Sequence, residues 1–172
     1  DRSKFLGDPD FYEVPVEKLI STDYNSSRYK EISKSEKTLS QNIEGGEISY
    51  ESPQTTHFSI IDTQGNAVSL TTTLNLNYGC KVWVKGAGFV LNNEMDDFSA
   101  KPGVPNFFGL IGAEANAIAP NKRMLSSMTP AIVEKDGKLK MVVGTPGGAT
   151  IITTVFQVIQ NVIDYNMSMQ EA

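Results

Sequence analysis

Gln54-Thr55-Thr56-His57-Phe58-Ser59-Ile60-Ile61-Asp62 is where a polar tract ends and an alternating, strand-like run begins on a threonine. That boundary reads as a cleavage site. Breaking the bond between Gln54 and Thr55 would give Thr55 a free α-amino group beside its own hydroxyl, and such an amine titrates near about 7.7–8.0. A nucleophile and its base would then share one residue. Composition changes at the same place: residues 1–54 hold eleven acids and seven bases, residues 55–172 only nine and eight.

Outward from this boundary, Phe58–Ile61 and Ala67–Leu74 are β-rich runs separated by Gln64-Gly65-Asn66, which predicts a hairpin. Trp83 with its valine neighbours, then Gly88–Leu91, predict two further short strands. Ala131–Glu134 and Lys138–Val143 flank Asp136-Gly137, a second hairpin signal. Gly144-Thr145-Pro146-Gly147-Gly148 then opens a helix over 149–163, apolar enough to be buried. On the other side, residues 33–52 lack apolar periodicity and read as an exposed linker. Before them, Val16, Leu19, Ile20, Tyr24 and Tyr29 predict one surface helix over 16–33, and Asp8-Pro9-Asp10 a turn. Residues 99–113, with Pro102, Gly103, Pro105, Gly109 and Gly112 around Phe107 and Phe108, fit either a lid over a pocket or a loop pinned to the core by its phenylalanines. Hairpins followed by a helix predict an α+β fold, a sheet covered by helices.

At 172 residues and 40% hydrophobic, the chain suits one domain with its own core. A net charge of −5 with scattered bases gives no footprint for a phosphate backbone, so nucleic acid is not an expected partner. No apolar run reaches the roughly 20 residues of a membrane span. Cys80 is the single cysteine, which excludes an internal disulfide, and it reads as a small buried filler. The chain opens on Asp1 rather than methionine, and Ser168 with Glu171 reads as a capping box whose helix would lie beyond Ala172. Both ends thus predict a portion of a longer protein.

Thr55-Thr56-His57-Phe58-Ser59, Asn75, Leu91-Asn92-Asn93-Glu94-Met95-Asp96-Asp97-Phe98-Ser99, Pro120-Asn121-Lys122-Arg123, Ser126-Ser127-Met128-Thr129-Pro130 and Gly144–Gly148 together resemble the γ-glutamyltranspeptidases. The resemblance covers essentially the whole chain. It implies that residues 1–54 are the C-terminal end of a large subunit and 55–172 the first part of a small, catalytic one. It also implies the four-layer αββα sandwich of the N-terminal-nucleophile hydrolases, here partial, a periplasmic or extracellular location, and no cofactor or metal. Thr55 would cut the chain by attacking the Gln54 carbonyl. It would then transfer γ-glutamyl groups from glutathione and related amides to water or amino-acid acceptors. Related acylases of β-lactam side chains are the alternative enzyme, and a catalytically silent fragment or uncut precursor the alternative outside enzymes.

Each motif also has a plainer reading. His57 stands near Thr55 on an extended run, but a packed or hydrogen-bonded strand histidine is the commoner state. Thr73 lies one strand from Thr55 with Asn75 following; such threonines usually only decorate a strand, whereas the resemblance makes Thr73 catalytic and Asn75 substrate-binding. Glu94, Asp96 and Asp97 lack EF-hand spacing and could form a solvated turn; by resemblance Glu94 and Asp97 hold the substrate's α-amino group. Ser126 and Ser127 could simply begin a turn, and by resemblance bind the α-carboxylate. Gly144–Gly148 lacks the lysine of a phosphate loop. Gly147 and Gly148, with backbone N–H groups at a helix start, suit a developing oxyanion. Two departures stand out. Phe108 occupies a lid position where many bacterial members carry tyrosine, and the arginine that the family uses for the α-carboxylate belongs to the large-subunit body, with no match in Arg2, Arg28 or Arg123. The chain by itself is therefore expected to be inactive without the remainder of its large subunit.

Overall fold

A computed structural model describes residues 1–38, 55–106 and 111–172. These form two compact units, Asp1–Ser49 with Met95–Leu125, and Tyr50–Glu94 with Ser126–Ala172. The predicted linker lies largely outside the described residues; its first part, 33–38, is exposed.

Among its described residues the first unit carries three short α-helices, α1 (Arg2–Phe5), α2 (Val16–Leu19) and α3 (Thr22–Lys30). The single helix expected over 16–33 is thus broken. Ser21 is extended and its hydroxyl accepts the Tyr24 N–H at 3.3 Å, capping α3 where a continuous helix would need an ordinary turn. The Asp8–Asp10 turn forms as predicted, with Phe11 N–H donating to the Asp8 carbonyl at 3.0 Å. Asp8 is the anchor of this unit. Its carboxylate, 1% exposed, accepts from the Arg123 backbone N–H at 2.9 Å and from the guanidinium at 2.6 and 3.1 Å. Asn116, also buried, donates to the Asp97 carbonyl at 2.7 Å and accepts from the Leu125 N–H at 2.9 Å, beside Phe98 and Ala115. Gly103 N–H donates to the Gly112 carbonyl at 3.0 Å, and Pro105 bridges Ile111, so the described ends of the 99–113 segment meet.

Among its described residues the second unit holds three two-stranded antiparallel sheets and the long helix α4 (Ile151–Asp164). Strand β1 (Thr56–Ile61) pairs with β2 (Ala67–Thr72) in unbroken register from Thr56↔Thr72 to Ile61↔Ala67. Asp62 closes their turn by accepting the N–H groups of Gln64 and Asn66 and the Asn66 amide, bonds that lower its pKa, the Asn66 side chain most. Strands β3 (Trp83–Val84) and β4 (Phe89–Val90) form a small second ladder. Strands β5 (Ala131–Lys135) and β6 (Lys138–Val143) meet at Asp136 and Gly137, with φ of 53° and 70°, the paired positive angles that a two-residue turn matching strand twist requires.

The core lies between β5–β6 and α4: Met141, Val143 and Val155 are buried, with Ala131, Val133, Val158, Ile159 and Val162 against them. Full burial of one such side chain stabilises by about 1.5–3 kcal/mol. The expectation of a wholly buried helix is corrected here. Ile151 and Val155 are enclosed, but Ile152, Phe156 and Ile163 face outward because a helix turns only one stripe toward a single sheet. Cys80 is likewise exposed rather than a buried filler. At that bend the backbone makes the contact: Gly79 has φ 54°, a Cβ on it would overlap the Leu91 carbonyl, and Cys80 N–H donates to the same oxygen at 3.1 Å. Ser168 and Glu171 do bond, hydroxyl and N–H to carboxylate at 2.8 and 2.9 Å, but close a turn. The described residues are a mixed helix-and-strand arrangement.

Candidate functional site

Thr55 is partly buried and sits one residue before β1, outside the ladder that ends at Thr56↔Thr72. Extending that register by one step sets Thr73 opposite it. The Thr73 hydroxyl oxygen accepts the Asn75 N–H at 3.0 Å, an arrangement that leaves a hydroxyl its own proton to donate. Gln54, the other side of the predicted cut, lies outside the described residues, as does Phe108.

Asn75 is 6% exposed and takes φ 70°, a left-handed conformation that asparagine tolerates better than most side chains. Its amide donates to the Asn93 carbonyl at 3.2 Å, while Asn93 Oδ1 accepts the Leu76 N–H at 3.1 Å and Asn93 N–H donates to the Leu74 carbonyl at 3.2 Å. The exit of β2 is thereby tied to the residue preceding Glu94. Sequence reasoning gave Asn93 no role; an Asn-Asn pair before an acidic residue was the available signal.

Glu94 and Asp97 open and close one 3-10 turn, Glu94–Asp97, and at three residues per turn positions i and i+3 fall on the same edge of that short element. Both are partly buried. The Glu94 N–H donates to Asn92 Oδ1 at 3.0 Å. The Arg2 guanidinium, whose pKa burial lowers, is acted on in the opposite direction by the Asp97 carboxylate. Arg28 pairs with Asp1 and Glu31, and Arg123 with Asp8 and Asp10, so these two guanidiniums serve ion pairs of the first unit.

The Ser126 hydroxyl donates to the Met128 carbonyl at 2.9 Å and accepts its N–H at 3.1 Å, the turn-forming use that its sequence position also allowed. Ser127 is partly buried beside it. Gly147 and Gly148 have φ of 144° and 54°, and Gly147 precedes the 3-10 turn Gly148–Thr150 that leads into α4. Thr150 fastens this corner, its N–H and hydroxyl donating to the Gly147 carbonyl at 3.1 and 2.9 Å. N–H groups at the start of a helix have no intrahelical acceptors and point at whatever anion lies before them.

His57 is bonded at both ring nitrogens, Nδ1 with Thr71 Oγ1 at 2.8 Å and Nε2 with Ser59 Oγ at 3.0 Å. Ser59 donates onward to the Val142 carbonyl at 3.3 Å, and Ser69 to the Val143 carbonyl at 3.1 Å. Hydroxyls on one face of β1–β2 therefore join that hairpin to β6. The opposite face is apolar and exposed: Phe58, Ile60, Val68 and Leu70 are 41%, 54%, 47% and 38% accessible.

Among solved structures, the chain is similar in fold to Helicobacter pylori gamma-glutamyltranspeptidase at a TM-score of 0.63 and 63% sequence identity, covering 66% of this chain and 61% of that one. The fold is thus that of an α+β protein of the gamma-glutamyltranspeptidase kind. The sequence model of the same family, Gamma-glutamyltranspeptidase, matches residues 1–172, and the chain belongs to that family. It is 54% identical over 172 residues to the glutathione hydrolase proenzyme of Pseudomonas aeruginosa, covering 100% of this chain and 30% of that protein. It is 52% identical over 173 residues to the glutathione hydrolase proenzyme of Escherichia coli, again spanning 30% of its length.

Proposed function

We propose that this chain is the maturation and catalytic segment of a γ-glutamyltransferase that also hydrolyses glutathione. The observation that carries the reading is the place of Thr55, at the first position outside the β1–β2 ladder in a chain of this family. A residue there can become a chain terminus without loss of a ladder bond. Residues 1–54 are read as the end of a large subunit and 55–172 as the start of the small one. The exposed apolar face of Phe58, Ile60, Val68 and Leu70 supports an αββα sandwich, since a further layer must cover a surface of that kind.

The chemistry begins with the Thr55 hydroxyl attacking the Gln54 carbonyl. The Gln54–Thr55 C–N bond breaks as the ester forms, the hydroxyl proton passing to the departing Thr55 amine, and water then hydrolyses the ester to leave a Gln54 carboxylate and a free Thr55 hydroxyl. That amine then takes the hydroxyl proton as Thr55 Oγ1 adds to the γ-carbonyl of a γ-glutamyl amide. Gly147 and Gly148 donate N–H groups to the oxyanion, a type of contact whose loss costs about 2.7–4 kcal/mol. The proton passes to the leaving amine, the C–N bond breaks, and an acyl-threonine remains for water or an amino-acid amine to attack. Thr73 hydrogen-bonds the nucleophile, Asn75 holds the Glu94 turn, Glu94 and Asp97 take the substrate ammonium, and Ser126 and Ser127 its carboxylate. No cofactor is required, and the location is periplasmic or extracellular.

Release of p-nitroaniline from γ-glutamyl-p-nitroanilide by the full-length protein, beside cleavage of a glutaryl amide, tests the reading. Preference for the γ-glutamyl anilide, abolished by Thr55→Ala, is the expected result. Preference for the glutaryl amide assigns the protein to the acylases instead, and turnover of neither supports a silent precursor.

A further inference from the structure

We infer that His57 is a positioning residue that sets the distance between the Thr55 strand and the Gly144–Gly148 loop; this rests on Thr55 as nucleophile and Gly147 and Gly148 as oxyanion donors. The proton positions follow from the network. Ser59 has one hydroxyl proton and donates it to the Val142 carbonyl, so its oxygen accepts from His57 Nε2–H. With Nε2 carrying the proton shared with Ser59, the ring's other nitrogen, Nδ1, is hydrogen-bonded to the Thr71 hydroxyl at 2.8 Å. Strands β1 and β2 thus hold the ring, and Ser59 ties that contact to β6.

Gly144 lies directly against that ring. A Cβ there would overlap His57 at Cε1 and Nδ1 and come within 2.9 Å of Nε2. Backbone conformation does not explain this glycine: Gly147 and Gly148 have positive φ, whereas Gly144 does not. The imidazole explains it. Gly144 is the first residue of the loop, three before Gly147, and His57 follows Thr55 by two residues, roughly 7 Å along a strand. Any retreat of Gly144 from the ring is carried through Thr145 and the fixed φ of Pro146 to the donors. Displacement of reacting groups by about 1 Å can cost on the order of a hundredfold in rate.

The test is made in the full-length protein, measuring kcat and KM for γ-glutamyl-p-nitroanilide per cleaved molecule in wild type, His57→Ala, Gly144→Ala and the double variant. His57→Ala is expected to lower kcat roughly ten- to hundredfold with KM changed less than about threefold. Gly144→Ala should do at least as much in wild type but cost little further in His57→Ala, where the vacated ring space accepts the methyl. His57→Gln, which can still donate to Ser59, should recover part of kcat. If His57→Ala is cleaved too slowly for kcat to be measured, the same non-additivity is expected in the cleavage rates of the four proteins. Additive effects, or a wild-type kcat per cleaved His57→Ala molecule, overturn the inference, because a purely structural histidine would lower only the folded fraction. Turnover that persists in Thr55→Ala with His57 intact overturns the underlying reading, and this inference with it.

Discussion

The side-chain amide of Asn75 donates to the backbone carbonyl of Asn93 at 3.2 Å, and Asn93 in turn accepts from Leu76 and donates to Leu74. This clasp fixes where Glu94 begins its 3-10 turn relative to the end of β2. Asn93→Ala removes the acceptor of the Leu76 N–H, and a neutral hydrogen bond contributes about 0.5–1.5 kcal/mol net. The expected outcome is a KM for γ-glutamyl donors raised by up to about tenfold with kcat little changed. A fall in kcat at constant KM would place Asn93 elsewhere in the mechanism.

Maturation is the most direct expectation. The full-length protein should separate into two chains, the smaller beginning at Thr55, and Thr55→Ala should remain one chain. N-terminal sequencing and intact mass read this outcome. Any other first residue, or full activity without cleavage, refutes the assignment of Thr55.

Charge recognition is tested at Asp97. Asp97→Asn should weaken γ-glutamyl substrates by about 1.5–3 kcal/mol, the value of a charge-assisted hydrogen bond, and leave analogues lacking the α-amino group almost unaffected. The Arg2 guanidinium near Asp97 supplies a competing explanation, since losing that partner would be purely structural. Equal losses with both substrate types would identify the structural role.

Acid stability should depend on Asp8. The hydrogen-bonded Arg123 guanidinium holds the Asp8 carboxyl well below the usual carboxylate range. A pKa depressed in the folded state stabilises fully above the unfolded value, about 3.9, and the contribution is lost as pH falls through the folded value. Denaturant unfolding from neutral to strongly acidic pH should therefore show Asp8→Asn less stable than wild type at neutrality, with the gap narrowing below about pH 4. Parallel curves would show that the Asp8 charge does not contribute.

The 172-residue chain supplied alone should release no p-nitroaniline from the γ-glutamyl anilide. Its Ser126 and Ser127 offer only neutral hydrogen bonds to a carboxylate, weaker than the bidentate guanidinium expected from the rest of a large subunit. Activity restored by adding a separately made large subunit would agree, whereas turnover by the chain alone would mean that its own residues complete the site.

The sequence by itself determined the hairpins and their turns, because period-two alternation and turn chemistry are local: Gly65 between β1 and β2, and Asp136-Gly137 between β5 and β6, adopt the positive φ that their residue types favour. It also fixed the family, through motifs spread along the whole chain. The break between α2 and α3 was not read from the apolar period, which runs across it; Ser21, whose oxygen caps α3, was the local signal missed. Tertiary structure alone decided what joins residues far apart. Asn75 meets Asn93 across 18 positions and Asp8 meets Arg123 across 115, and no local periodicity encodes such pairings. His57 shows the division most clearly. Its residue type and strand position were legible, but that its ring is held by Thr71 and Ser59, and that Gly144 is glycine to make room for it, follows only when β6 is laid against β1–β2 and close packing forbids two groups one volume.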